Sequence, residues 1–359
     1  MKKSYLFMSG MLAIAIASCT VEDEPSLLKD ESEAIAFRPA MSMSRAAEVT
    51  NANLSSIYVT ALDSTTTPYF SEINYIKGSD GFFNSNPLKY WPTDNRQLTF
   101  YAYAPNMADE GAEIQIDSEA KTISFVVADE IADQVDFITA TATGNRKQNE
   151  KTGVELNFEH QLAQISLQAK SGNENYTFEV AGGRIGRPYS TATFDFTTSE
   201  WTMDPFNDTQ VISTTCTPVT LQNDPVSIMG GDGNAMVLPQ KFPEWMGEKD
   251  PDNVIRGKYL GALVRITDKD GNVVFPTTDD KHATTIDGKN YQWVATPLGG
   301  EWEHGKLYVY TLDFTNGGGY TDPDDPTHPG IPVLPGAIKF SVNVSDWTNA
   351  DIPVSMETE

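Results

Sequence analysis

The sequence predicts an all-β protein of β-sandwich architecture, and three observations carry that prediction. Apolar and polar residues alternate with a period of two along many short segments, as in Leu162 to Ala169 and Ile338 to Val344; this is the pattern of a half-buried strand. Between these segments lie clusters of Gly, Pro, Asn and Asp, such as Lys77-Gly78-Ser79-Asp80-Gly81 and Pro92-Thr93-Asp94-Asn95, the residues that turn a chain between strands. No stretch sustains a helical period with caps. At 359 residues, the chain is long enough for two domains, each with its own core.

The front of the chain reads as an address. Lys2 and Lys3 precede an apolar run from Tyr5 to Ala17 that is too short to span a bilayer. Ile16-Ala17-Ser18-Cys19 then places small residues directly before a cysteine, the requirement of a lipoprotein signal peptidase, so residues 1–18 read as a signal peptide and Cys19 as the lipidated N-terminus. Residues 20–33 carry Glu22, Asp23, Glu24, Asp30, Glu31 and Glu33 against a single lysine, Lys29, a composition that does not fold alone. From residue 34 the alternation is strict: Ile35, Phe37, Pro39, Met41 and Met43 on one face, Ala34, Ala36, Arg38, Ala40, Ser42 and Ser44 on the other. Directly after comes Arg45-Ala46, a bond open to a trypsin-like protease. Lys29 is followed by Asp30 and Arg38 by Pro39, both poor contexts for such cleavage. Residues 19–45 are therefore expected to be a tether and a strand that belongs to the fold yet can be removed from it.

Beyond Ala46 the strand pattern continues through Leu54 to Leu62, Leu98 to Ala104, Thr122 to Val127 and Asp136 to Ala142. The stretch Gly144 to Gly153 lacks any apolar residue and is read as the boundary between domains spanning 46–150 and 151–359. Strands resume at Val154 to Phe158 and Leu162 to Ala169, followed by Tyr176 to Ala181, Ala192 to Phe196, Ala235 to Gln240, Tyr259 to Asp268 and Lys306 to Phe314. Asp322 to Pro329 reads as an acidic, proline-rich, mobile loop. In the tail, Ile338, Phe340, Val342 and Val344 share one face, and after a turn Ile352, Val354 and Met356 share another.

Composition narrows the function. The chain has 25 Lys plus Arg against 50 Asp plus Glu, a formal net charge of −25, and no basic cluster interleaved with aromatics, which argues against nucleic acid as a partner. With Cys19 lipidated, Cys216 has no partner and reads as a small buried hydrophobe. The four histidines, His160, His282, His304 and His328, show no metal-ligand spacing, and no Gly-x-Ser-x-Gly elbow is present. Asp268-Lys269-Asp270-Gly271-Asn272 reads as a hairpin turn rather than a calcium loop. No catalytic residue, metal ligand or cofactor is assigned. Of the six tryptophans, most are expected in cores; Trp245, in Phe242-Pro243-Glu244-Trp245-Met246-Gly247, is the candidate ligand contact.

A set of ordered motifs resembles the fimbrillin, or type V pilin, family of Bacteroidetes surface lipoproteins. It comprises the lipoprotein front, Tyr90-Trp91-Pro92 before Phe100-Tyr101-Ala102-Tyr103-Ala104-Pro105, and Phe158-Glu159-His160-Gln161-Leu162-Ala163-Gln164-Ile165. Met236-Val237-Leu238-Pro239-Gln240, Trp302-Glu303-His304-Gly305-Lys306 and Asp346-Trp347 follow. The resemblance implies two tandem transthyretin-like β-sandwich domains, an arginine-specific or trypsin-like protease that cuts at Arg45-Ala46, and loss of the strand holding Ile35, Phe37, Met41 and Met43. It implies that the acceptor groove so opened takes a donor strand from the tail of another fimbrial subunit, here Ile338, Phe340, Val342, Val344, Ile352, Val354 and Met356. The implied site of action is the outer membrane surface and the fimbrium, with lipid holding the chain before cleavage and host or bacterial surface ligands as adhesion partners. One feature departs from the pattern: the terminal piece offers three inward apolar residues and Pro353 removes a ladder donor, which fits a tip subunit that receives a strand without donating one. A monomeric, glycan-binding surface lipoprotein is the alternative.

Overall fold

A computed structural model describes residues 34–40, 54–63, 67–204, 209–231, 233–242, 257–277, 281–325 and 328–347. The all-β prediction holds: the described chain forms five sheets, with one short helix at Arg146–Asn149 and a 3-10 turn at Ile131–Asp133. The largest sheet has eight strands in the spatial order Glu159–His160, Ile138–Gly144, Leu98–Ala104, Ser56–Leu62, Phe70–Lys77, Phe83–Ser85, Phe37–Ala40, Val154–Asn157. Its first and last members are separated in sequence by Phe158 alone. The sheet must therefore curl until its edges meet, as in a barrel. Alternate residues point inward to one core, in which Phe37, Ile57, Val59, Tyr75, Phe83, Leu98, Phe100 and Leu156 are fully buried.

The second half packs a five-stranded sheet on a seven-stranded one. In the first, Ala163–Lys170 runs parallel to Lys306–Asp313, with Lys339–Asp346 at the edge. In the second, the 14-residue strand Tyr176–Tyr189 lies between Thr209–Thr220 and Tyr259–Asp268. Ile165, Leu167, Val180, Leu260, Val264 and Leu312 meet between the two sheets. Cys216 is half-buried against this core, and burial pushes its thiol up. The Asp268 to Asn272 segment is a hairpin turn: the Asp268 carboxylate accepts from the Asp270 and Asn272 amides, and Gly271 takes a positive φ of 83°.

The boundary expected at 150/151 does not separate the sheets. Val154–Asn157 and Glu159–His160, beyond it, are members of the eight-stranded sheet. In return, Glu113–Ile116 and Lys121–Val126, from before it, join Thr191–Asp195 and Glu200–Met203 in one antiparallel four-stranded sheet. A third core fills the space between the halves, with Tyr103, Phe125, Phe137, Leu162, Phe194, Leu238 and Trp347 all buried in it. The polar stretch was misleading because local polarity reports solvent exposure, not which sheet the next strand joins. Its middle turns back on itself as the short helix, whose first turn is capped by the Asn145 side chain accepting from the Gln148 amide.

The loop from Asp322 to Asp325 is clamped rather than mobile. Arg184 pairs with Asp322 and lies 3.9 Å over the Trp293 ring, while Arg187 reaches Asp324 at 2.6 Å. Tyr259 donates its hydroxyl to Asp324 at 2.6 Å. These partners sit on Tyr176–Tyr189 and Tyr259–Asp268, far away in sequence.

Candidate functional site

The first strand, Phe37–Ala40, is an interior strand of the eight-stranded sheet. It runs antiparallel to Phe83–Ser85, with Phe37 opposite Phe83, and parallel to Val154–Asn157, with Phe37 opposite Val154 and Pro39 opposite Leu156. Its lead-in is tied down as well: the Ile35 amide donates to the Lys89 carbonyl at 2.7 Å, and the Val154 amide donates to the Ala36 carbonyl at 2.9 Å. Gly153 turns the chain into the neighbouring strand with a φ of 67°; a Cβ there would stand 3.1 Å from the Ala36 carbonyl oxygen.

The two inward residues are fully enclosed. Ile35 and Phe37 are both 0 % exposed, and each contributes about 1.5–3 kcal/mol by that burial. Phe37 meets Tyr75 edge-on at 4.7 Å and Phe100 at 5.1 Å, an arrangement that satisfies the ring quadrupoles. Arg38 faces the other way, out to solvent, with Glu155 3.4 Å from its guanidinium. The period of two seen in the sequence is thus the alternation of core and solvent.

The tail strand is held differently. Lys339–Asp346 pairs with Lys306–Asp313 over its whole length and, among the described residues, with no strand on its other side. It is fastened at its ends. Ile338 is buried and its carbonyl accepts from the Thr296 hydroxyl at 3.0 Å; Trp347 is buried, donates its amide to the Gly305 carbonyl at 2.7 Å and stacks on His160 at 4.3 Å. Between them Phe340 is half-buried, and Val342 and Val344 are 44 % and 47 % exposed. Only the start of the alternating row enters its own core, so an apolar edge remains in solvent, the situation that invites pairing with another chain.

Where the two halves meet, a cleft of about 900 Å³ opens, lined by residues of both, including His160, Trp201, Glu303 and Trp347. Nothing along the chain groups these residues, because 187 positions separate His160 from Trp347. Among the described residues no group of His, Cys, Asp and Glu is placed to hold a metal ion.

The family model for fimbrillin-like proteins matches residues 44–347, most of the chain. The chain belongs to the fimbrillin-like family. Among solved structures, a fimbrial protein of Bacteroides vulgatus, 14 % identical, aligns over 88 % of this chain and 100 % of its own with a TM-score of 0.55. A fimbrilin of Porphyromonas gingivalis, also 14 % identical, aligns over 89 % of this chain and 99 % of its own with a TM-score of 0.45. The first of these likenesses establishes a shared fold. No protein of curated function matches.

Membership places this fimbrillin-like chain among the surface proteins of fimbriae, which assemble with other fimbrial subunits. Of the residues singled out from sequence, Ile35 and Phe37 lie together in the first core and Ile338, Phe340, Val342 and Val344 on the tail strand, in the other half of the molecule. Cys19, Met41, Met43, Arg45, Ala46, Trp245, Ile352, Val354 and Met356 lie outside the described residues. Of the other tryptophans, Trp91, Trp302 and Trp347 are buried in cores, whereas Trp201 and Trp293 are half-buried.

Proposed function

We propose that this chain is a fimbrial subunit exported as a lipoprotein at Cys19, cut between Arg45 and Ala46, and joined to its neighbours by strand exchange. The observation that carries the proposal is the place of the first strand: an interior strand with two fully buried side chains at its start, ending at Ala40, five residues before Arg45 in sequence. Excision there removes a strand from the middle of a sheet rather than trimming an end.

The physical consequence is a groove that does not stay empty. Adjacent strands lie about 4.8 Å apart, so removal leaves Phe83–Ser85 and Val154–Asn157 facing each other across about 10 Å, too far to pair. Both expose unpaired backbone groups, and the spaces vacated by Ile35 and Phe37 open to water. Because the two walls run antiparallel to each other, any strand that enters makes one parallel and one antiparallel ladder. A strand from another subunit restores both and fills the alternate spaces, which is donor-strand β-augmentation. Groove and donor are different surfaces of one molecule, so the contact does not close and subunits add end to end.

The placement of Arg38 supports Arg45 as the scissile residue. Although its guanidinium is exposed, its backbone is paired with Glu155 in the parallel ladder directly after fully buried Phe37, and a protease needs an extended segment free to enter its cleft. N-terminal sequencing of surface material tests the proposal: a start at Ala46 is expected, and a start at lipidated Cys19 rejects the cleavage. An Arg45→Ala chain is expected to remain unpolymerised, and filaments grown from it would reject the assigned bond. The exposed Val342 and Val344 favour a tail that can pair beyond its own subunit.

A further inference from the structure

The pattern Ala-Ile-x-Phe occurs in two places in the sequence: Ala34-Ile35-Ala36-Phe37, leading into the first strand, and Ala337-Ile338-Lys339-Phe340, leading into the tail strand. Both copies turn the same two side chains inward. Ile35 and Ile338 are buried, Phe37 meets Tyr75 and Phe100, and Phe340 meets Tyr310 edge-on at 5.8 Å. They differ in how completely they are held. The first strand is flanked on both sides, whereas the tail strand is paired on one side only among the described residues, with Phe340 half-buried and Val342 and Val344 exposed.

Laid on the first strand in the same direction, the tail matches it position by position. Ile338 takes the space of Ile35 and Phe340 that of Phe37, which leaves no cavity and crowds no ring. Val342 falls at Pro39, opposite buried Leu156, and brings the backbone N–H that proline lacks. Ser341 falls at Arg38. Lys339, two residues before it on the same face, keeps a cation within diagonal reach of Glu155. Laid in the reverse direction, isoleucine and phenylalanine exchange spaces and neither fits. The terminal piece matches less well: with Ile352 in the first space, Val354 stands in a space shaped by a phenylalanine ring, and Pro353 removes an N–H.

We infer that the groove left by the first strand is filled by Ile338 to Asn343 of a second copy of this chain, running in the direction of the strand it replaces, with Ile338 in the space of Ile35 and Phe340 in that of Phe37. This rests on the strand-exchange reading above and names its partner segment and register. The donating subunit gives up one ladder and the seat of Trp347; the accepting subunit gains two ladders and encloses Phe340 fully. The edge of Lys306–Asp313 is left open in the donor, a consequence that can be measured.

The test uses filaments grown from the full-length chain cut at Arg45. In a Cys216→Ser chain, Glu155→Cys with Ser341→Cys is expected to form disulfides between copies on mild oxidation, read as a ladder on a non-reducing gel, because Arg38 and Glu155 are direct partners. Glu155→Cys with Asn343→Cys, two residues out of register, is expected to give at least tenfold less. Phe340→Ala keeps its own groove, so it is expected to accept a strand without donating one, and small amounts of it to shorten wild-type filaments. The amides of Lys306–Asp313 are expected to exchange faster in the filament than in the free subunit. A ladder from Asn343→Cys or Ser355→Cys in place of Ser341→Cys, normal growth of Phe340→Ala alone, or unchanged exchange along Lys306–Asp313 overturns the assignment and leaves strand exchange standing. No polymer from the cut wild-type chain rejects strand exchange itself, and the assignment with it.

Discussion

Replacing Phe37 by alanine in the uncleaved chain is the most direct probe of whether the first strand is structural. The side chain is 0 % exposed and meets two aromatic rings edge-on at 4.7 and 5.1 Å. A buried Phe→Ala change costs about 3–5 kcal/mol through lost transfer energy and the cavity left behind. The two ring contacts, each about 0.5–1.5 kcal/mol, set the expectation near 4 kcal/mol, a large part of a stability of about 5–15 kcal/mol. Arg38→Ala is the matched control, since its guanidinium is exposed and its pair with Glu155 at 3.4 Å is of the kind worth about 0–1 kcal/mol. Denaturant unfolding of both variants gives the energies, and amide exchange locates them. The Val154 amide, bound to the Ala36 carbonyl at 2.9 Å, is expected to lose most of its protection in Phe37→Ala and little in Arg38→Ala. If the two variants unfold within about 0.5 kcal/mol of each other, the strand is an appendage and the groove argument fails.

Three further outcomes are expected. A Cβ added at Gly186 would stand 2.1 Å from the Tyr259 ring, and Asp324 holds the Tyr259 hydroxyl at 2.6 Å, so the ring cannot swing aside; Gly186→Ala is expected to cost about 3 kcal/mol, checked by thermal unfolding. Arg184→Ala leaves buried Asp322 without its cation, with an expected loss of about 3 kcal/mol and faster proteolysis between residues 322 and 331, read by mass spectrometry of the fragments. Lys258 is 1 % exposed, and burial, with help from Arg187, lowers its pKa from 10.5 to about 8. Between those two values the unfolded chain binds a proton that the folded chain lacks, so this lysine's contribution to stability rises with pH across that window and is flat below it. The difference in unfolding energy between the native chain and Lys258→Met is expected to rise by about 1–2 kcal/mol from pH 7.5 to 9.5; a pH-independent difference contradicts the burial account.

Much of the fold was legible because strand periodicity is local. The alternation from Ala34 onward anticipated that Ile35 and Phe37 point inward and Arg38 outward, and turn residues around Asp268 to Asn272 anticipated the hairpin there. The candidate sites were legible only in part. The same alternation in Ile338 to Val344 carried no sign that Val342 and Val344 stay exposed, since the pattern reports which residues share a face, not what covers it. Asp322 and Asp324 read as solvated acids because Arg184 and Arg187, their partners, lie 138 and 137 residues earlier. His160 stood out only as one of four histidines without metal-ligand spacing, its contacts with Asp136 and Trp347 being invisible along the chain.

By itself, then, the sequence determined the all-β class, the position and facing of the first strand, and the turns. Tertiary structure decided that this strand sits between two others rather than at an edge, that strands from both sides of the polar stretch interleave, and that Asp322 and Asp324 meet arginines from a distant strand. The physical reason is that backbone alternation is fixed by neighbours one and two residues away, whereas strand order and buried pairing depend on complementary surfaces from distant segments, which no local period encodes.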